Sequence, residues 1–362
     1  MKQGMRLKFR QLRVIVISWM IMGVLITLYD HFVLTTDNSL GLSPSYSIWM
    51  YLVRNIGAGL FGALIGGSLM VFYINEKLQD KPYAYTLLLV FLGFIGTVAL
   101  ISITMGLILV PVKTGKPLTD PETQAALYSF LRDPSHIKAA MSWSLVVAIT
   151  QLLLQVNSKF GQANFWNIIR GKYNQPREEQ RVFMFLDIND STSIAETLGD
   201  ERYHSLLKDF FADITSPILD NRGSIYQYVG DEVVVAWLHD DGIRDAHCVR
   251  CFFDMKQRIS SRSEHYTRKY GLVPGFKAGI HCGRVIAGEV GIIKRDITYS
   301  GDVLNTTSRI LGKCNEYKRE IIASSDLIEI LNFPAGYSSQ PLGSIQLKGK
   351  SKSIELSAVV PS

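Results

Sequence analysis

The pattern of apolar and polar positions divides the 362-residue chain into two unlike parts. Up to about residue 157 the chain is almost continuously apolar, with stretches near 14–34, 55–75, 85–110 and 137–156. Each is long enough to cross a bilayer, which takes about 20 apolar residues in a helix. From residue 181 onward, apolar residues recur at the shorter spacings of strands and amphipathic helices. The pattern predicts a membrane domain over 1–157 with four transmembrane helices, a coupling linker over 158–180 and a globular domain over 181–362. A cleavable signal peptide fits the first stretch poorly, because three more spans follow and no small-residue cleavage site is evident.

In the globular part, 181–188 reads as a strand, and Ser191 and Thr192 open a helix. An amphipathic helix is expected over 201–219, with Leu206, Leu207, Phe210, Phe211 and Ile214 inward. Strands over 224–229 and 232–238 are joined tightly through Gly230 and Asp231. A helix over 243–260 follows, then strands over 276–282 and 285–290, expected as a second hairpin turning at Gly283. A helix over 303–314, a late strand ending near Lys348 and another over 354–359 complete the order. This is an α+β order and predicts a ferredoxin-like sandwich with additions. Such a fold hosts many activities, so residues rather than fold must carry the function.

The formal charge of +6 does not indicate nucleic-acid binding. Much of the excess lies in the N-terminal tail, at Lys2, Arg6, Lys8, Arg10 and Arg13, where membrane proteins keep cytoplasmic charge. The loop over 35–45 has no Lys or Arg, the turn near Lys77 and Lys81 is basic, and Lys159, Arg170, Lys172 and Arg177 follow the fourth span. This places both termini and the globular domain on the cytoplasmic side of the inner cell membrane. The third loop fits less well, since it carries Lys113, Lys116 and Arg132, diluted by Asp120, Glu122 and Asp133.

Ala58, Gly62 and Gly66, four residues apart on the second span, predict a face for close helix packing, within one bundle or between protomers. Asp30 and His31, near the outer end of the first span, read as hydrated interfacial residues, with pH or ligand sensing as the alternative. In the linker, Phe160, Phe165, Trp166, Ile168 and Ile169 form a loosely amphipathic segment broken by Gly171 and Pro176. The four cysteines, Cys248, Cys251, Cys282 and Cys314, all lie in the globular part. The CxxC of Cys248 and Cys251 has no second ligand pair for zinc and reads as reduced core thiols.

Two aspartates at strand edges stand out. Asp187 ends the apolar run Val-Phe-Met-Phe-Leu, and Asp231 sits at the tip of a hairpin. Two carboxylates beside a phosphate-sized loop at a helix start suit a two-cation site for a nucleoside triphosphate. Taken alone, Asp187 could instead cap the next helix, and Asp231 could be a plain turn residue.

Five segments in series sharpen this: FLDINDST, YQYVGDEVV, FKAGIHCGRVIAGEVG, SGDVLNTTSR and LKGK. Together they resemble the catalytic domain of class III nucleotidyl cyclases, the adenylate and guanylate cyclases, over about residues 181–360. The resemblance implies two Mg²⁺ or Mn²⁺ ions per site, held by Asp187, Asp231 and the Ile188 carbonyl. It implies that the backbone of Asn189, Asp190, Ser191 and Thr192 cradles phosphates and that Lys348 contacts the terminal ones. Asn305 would orient the ribose, and Arg309 would stabilise charge on the α-phosphate; four residues apart on a helix, they share a face. The family's sites form between two subunits, so a homodimer would hold two.

Base choice in that family rests on positions occupied here by Gln227 and Thr298. Thr298 fits the adenylate side, whereas the amide of Gln227 can both donate and accept. The expected substrate is ATP, with GTP or dual specificity as the alternative. Asp190-Ser191 stands where family members often have Gly-Phe, and Asp190 reads as a cap or hydrated residue rather than a third metal ligand. The hairpin Val-Gly-Asp231-Glu-Val also resembles that of diguanylate cyclases, but Val229 replaces a glycine needed near guanine. A receptor whose cyclase-like domain only binds nucleotide is the non-enzyme alternative.

Overall fold

The computed structural model describes residues 3–36, 47–78, 81–160, 167, 170–293, 295–331, 333, 336–346 and 353–361. By contacts, the chain forms two compact units: Arg6–Gln162, and Ala163–Ser362 together with Met1–Met5.

Among the described residues of the N-terminal unit, four helices are long and apolar enough to cross a membrane. They are α1 (Gln3–Thr36), α2 (Ile48–Ile74, with π-helical turns at Ala63–Gly67 and Met70–Ile74), α3 (Tyr83–Thr114) and α5 (Pro134–Phe160). A shorter helix, α4 (Pro121–Leu131), which the apolar pattern did not suggest, is capped by Asp120, whose side chain accepts from the Glu122 N–H. The close-packing seam of α2 is offset by one residue from the expected one. Asn55, Gly59, Ala63 and Gly67 are its buried positions, and a Cβ on Gly59 would lie 2.6 Å from the Trp19 carbonyl oxygen. Gly62 and Gly66 only edge the Trp19 ring, and Ala58 is exposed. The bulky Trp19, bonded through Nε1 to Thr150 Oγ1 at 2.9 Å, lies against Gly59 and so places the seam there. Asp30 is not a hydrated residue: its side chain is 7% exposed and accepts from Lys138 Nζ at 2.7 Å. An opposite charge on a neighbouring helix offsets the cost of burying it.

Of the linker, residues 161–166 and 168–169, and with them Phe165, Trp166, Ile168 and Ile169, lie outside the described residues. The first strand, β1 (Arg177–Ile188), starts four residues before the expected position. Then come α6 (Ser191–Leu198), α7 (Asp200–Asp220), β2 (Ser224–Val229), β3 (Glu232–Leu238), α8 (His247–Ser261) and α9 (Ser263–Tyr270). The chain continues through β4 (Phe276–Val290), β5 (Asp296–Ser300), α10 (Asp302–Tyr317), β6 (Ile321–Ser324), α11 (Ser325–Ile330), β7 (Tyr337–Gln346) and β8 (Ser353–Pro361). The strands order as β2-β3-β1-β4-β6-β8-β7, with β5 pairing β4. The first four form the ferredoxin-like core.

Strand alternation places side chains of β1 on two faces. Val182, Met184, Leu186 and Ile188 pack with α7, α8 and α9 through Phe210, Ile214, Phe252 and Tyr266. Phe183 and Phe185 pack under α10 through Val303, Ile310 and Leu311. Asp187, by the same alternation, belongs to the second face.

The expected hairpin at Gly283 is absent. β4 is a single strand paired with β1 from Phe276 to Ala287. Gly283 sits in mid-strand, where a Cβ would come 3.3 Å from the Val303 side chain. The glycine there admits α10 rather than a turn. Gly279 is tighter, since a Cβ would lie 2.4 Å from the Leu311 nitrogen.

Candidate active site

The site grows from three neighbouring strand ends. β1 pairs β3 up to Leu186 opposite Val233, which brings Asp187 beside the β2–β3 turn carrying Asp231. Gly230 holds φ at 63° in that turn. On the other side, Asp187 pairs in register with Lys277 of β4. Lys277 Nζ lies 3.1 Å from Asp187 Oδ2, with the side chains 13% and 28% exposed.

Burial, and then the Asp231 carboxylate beside it, raise the Asp187 carboxyl above its ordinary value against the pull of Lys277. Glu232 is raised for similar reasons, by burial first and then by Asp187 and Asp231. The Tyr203 hydroxyl, hydrogen-bonded with Ser191, is likewise raised by burial and then by Asp231. Asp187 and Glu232 thus stand in one acidic group with Asp231, with Lys277 beside Asp187.

Asp187 and Ile188 open onto a cleft of about 540 Å³. Its lining also takes in the loop Asn189, Asp190, Ser191 and Thr192, Lys277 of β4, and Cys314, Asn315, Lys318, Arg319 and Glu320. Asp190 is the N-cap residue of α6 by position but makes no side-chain cap bond, and its φ of 53° is left-handed. Asp tolerates that conformation better than most residues, which explains a substitution at a glycine-favouring place. The Asn189 N–H is already used, donating to the Gly275 carbonyl at 2.9 Å. The first α6 amides, from Ser191 onward, are those that a helix start leaves without an intrahelical partner.

Gln227, Thr298, Asn305 and Arg309 do not line this cleft in the same chain. Asn305 is exposed and Arg309 half-buried on α10, whose buried stripe is Val303, Thr306, Thr307, Ile310, Leu311 and Cys314. Gln227 is exposed on β2, just after a bulge at Tyr226. Thr298 Oγ1 donates to the Gly288 carbonyl at 3.4 Å. These two are linked through their neighbours: the rings of Tyr226 and Tyr299 lie 4.8 Å apart. Lys348 lies outside the described residues.

Lys277 and Tyr203 stand beside this cluster although no motif singles them out. Lys277 had one signal, a lysine inside an otherwise apolar strand. The cysteines are all free, and burial pushes Cys248 up to about 12, so its thiol is protonated at neutral pH.

The fold and the cleft at the ends of its central strands have the arrangement of a nucleotidyl cyclase catalytic domain. Residues 173–357 match the model described as the adenylate and guanylate cyclase catalytic domain. The chain belongs to that family. It is 38% identical over 202 residues to "Adenylate cyclase 2" of Rhizobium meliloti (strain 1021), covering 56% of each chain. It is 30% identical over 181 residues to "Adenylate cyclase" of Anabaena cylindrica, covering 48% of this chain and 36% of that one. The chain thus spans about half, or less, of the length of these relatives. A solved bacterial light-regulated adenylyl cyclase shares the fold at a TM-score of 0.50 and 21% identity, over 60% of this chain and 63% of that one.

Proposed function

We propose that this chain is a membrane-bound adenylate cyclase that converts ATP to 3′,5′-cyclic AMP and pyrophosphate at sites shared by two copies. The observation that carries the reading is the convergence of Asp187 and Asp231 beside the α6 amides, with Asn305 and Arg309 outside the same chain's cleft. One chain offers the cation and phosphate half of a site and, on another surface, the ribose and transition-state half. A second copy completes both.

The donor set fits Mg²⁺ or Mn²⁺. Both prefer oxygen ligands, and Mg²⁺ keeps waters and substrate phosphates in its shell, so two carboxylates and the Ile188 carbonyl suffice. Two such ions, when bound, supply charge neutralisation and activation of the ribose hydroxyl.

The reaction forms a bond from the ribose 3′ oxygen to the α-phosphorus. It breaks the bond from that phosphorus to the bridging oxygen, and releases the hydroxyl proton and pyrophosphate. Asp187 and Asp231 would hold the cations. The amides of Ser191 and Thr192, with Lys277, hold phosphate oxygens, and Lys348 of the second copy contacts the terminal ones. Asn305 of the second copy orients the ribose, and its Arg309 meets the charge that grows on the α-phosphate. Thr298 and Gln227 face the base. The relatives named adenylate cyclases and the threonine at 298 favour ATP over GTP. The four apolar helices anchor the protein, with both termini and the catalytic domain cytoplasmic.

The test is turnover by purified full-length protein with Mn²⁺ and with ATP and GTP in competition. Cyclic AMP as the main product supports the reading. Cyclic GMP alone overturns the base assignment, a dinucleotide product overturns the reaction, and no product overturns the enzyme.

A further inference from the structure

A buried arginine on β1 lies against a tyrosine of β5 that packs in turn on a tyrosine of β2. Arg181 is 6% exposed and lies on the same β1 face as Phe183, Phe185 and Asp187. Its Nε and Nη2 donate to Glu179 Oε2 at 2.8 and 2.6 Å, and Nη2 donates to the Tyr173 hydroxyl at 3.2 Å. The guanidinium carbon lies 4.5 Å from the centre of the Tyr299 ring. Tyr299 in turn packs on Tyr226, and its N–H donates to the Tyr226 hydroxyl at 3.3 Å.

Each partner of this ring pair adjoins a base-facing residue. Thr298 precedes Tyr299, and Gln227 follows Tyr226, the residue inserted by the β2 bulge. A bulge leaves a strand without regular pairing at that point and re-aims its side chains. The place of Gln227 relative to Thr298 is therefore not set by β2–β3 pairing alone. A buried charge is costly unless well bonded, and a hydrophobic residue would fill a β1 position more cheaply. The arginine fork and its stacked ring supply what an apolar side chain lacks, a fixed direction.

We infer that Arg181 is a positioning residue for base selection: by clamping Tyr299 against Tyr226, it fixes the spacing of Thr298 and Gln227. This rests on the reading of those two residues as base contacts. The same guanidinium holds Tyr173, so the chain segment just before β1 is part of the clamp.

The experiment measures KM and kcat of the full-length protein for ATP and for GTP, in the wild type and in Arg181→Met, Arg181→Lys and Tyr226→Phe. Arg181→Met keeps the bulk and removes the fork. It should raise KM for ATP several-fold, short of the ~100-fold that a full 1 Å misplacement by a remote residue can cost. Its kcat should change less, and its ATP-to-GTP preference should fall. Arg181→Lys should not restore the preference, since a compact ammonium neither forks nor stacks in the same way. Tyr226→Phe keeps the ring and should shift KM and preference in the same direction by a smaller factor. It carries the test if the Arg181 variants do not fold. Unchanged preference in folded variants, or loss of kcat and thermal stability with KM intact, makes Arg181 merely structural and overturns the inference. Turnover by the wild type leaves the cyclase reading standing whatever the variants do; no wild-type turnover removes both.

Discussion

Lys277 Nζ lies 3.1 Å from Asp187 Oδ2, so an ammonium already stands at the carboxylate assigned to the catalytic cations. Burial and Asp231 push the Asp187 carboxyl above its ordinary value, and Lys277 pulls the other way. The ionised form binds cations, so activity should fall on the acid side as this carboxyl takes up a proton. Lys277→Met removes the opposing pull and raises the carboxyl further. The acid limb of the pH–rate profile should then move to higher pH, by about one unit. A limb that stays in place or moves to lower pH would contradict the assignment.

Asp187 also sets stability against function. A carboxyl raised in the folded state favours folding while protonated, and that advantage is lost as pH rises through the folded value. At neutral pH the ionised Asp187 therefore works against the fold. Asp187→Asn should raise the melting temperature at pH 7, with each 1 kcal/mol gained appearing as about 2–4 °C in a domain of this length. The difference should shrink at acid pH. Mn²⁺ should stabilise the wild type and not the variant, as expected for a ligand bound only by the intact site. Melting curves at two pH values, with and without Mn²⁺, check all three statements.

The shared site makes a sharp prediction for mixtures. Asp187→Ala and Arg309→Ala should each be nearly inactive alone. Exchanged into mixed dimers, each pair holds one site with both defects and one intact site. Random pairing then restores about a quarter of wild-type activity, because half the dimers are mixed and each has one working site of two. No recovery, with exchange demonstrated by pull-down of a tagged partner, would refute the shared arrangement.

Gly279 and Gly312 offer a paired test of how α10 is seated. A Cβ on Gly279 would meet the Leu311 nitrogen at 2.4 Å, whereas one on Gly312 meets nothing within 4 Å. Gly279→Ala should push away the helix carrying Asn305 and Arg309. The cost should be about 1–3 kcal/mol of stability, together with a loss of activity. Gly312→Ala should be neutral or stabilising by up to about 1 kcal/mol, as for a helix-interior glycine. Denaturation midpoints of the two variants, measured side by side, decide this.

Much of the fold was legible because each strong pattern had one solution. The strands Ser224–Val229 and Glu232–Leu238 fall where alternation and Gly230-Asp231 put them. The four apolar stretches all became helices long enough to span a membrane. Glycine was the misleading signal. Gly283 suggested a turn and instead admits Val303; the seam on α2 is Gly59–Ala63–Gly67 rather than its neighbour. A glycine states that something comes close or turns sharply, and only the neighbouring element says which.

The sequence by itself determined the division into an apolar part and a catalytic part, the strand ends that carry Asp187 and Asp231, and the helix that carries Asn305 and Arg309. These follow from local periodicity and motif order, which neighbouring residues encode. Tertiary structure decided that Lys277 faces Asp187, that Asp30 is buried against Lys138, and that Arg181 reaches Tyr299. Each is a charge whose partner lies far along the chain. No local pattern announces such a pair; the register of β1 against β4 and the packing of α1 against α5 create it.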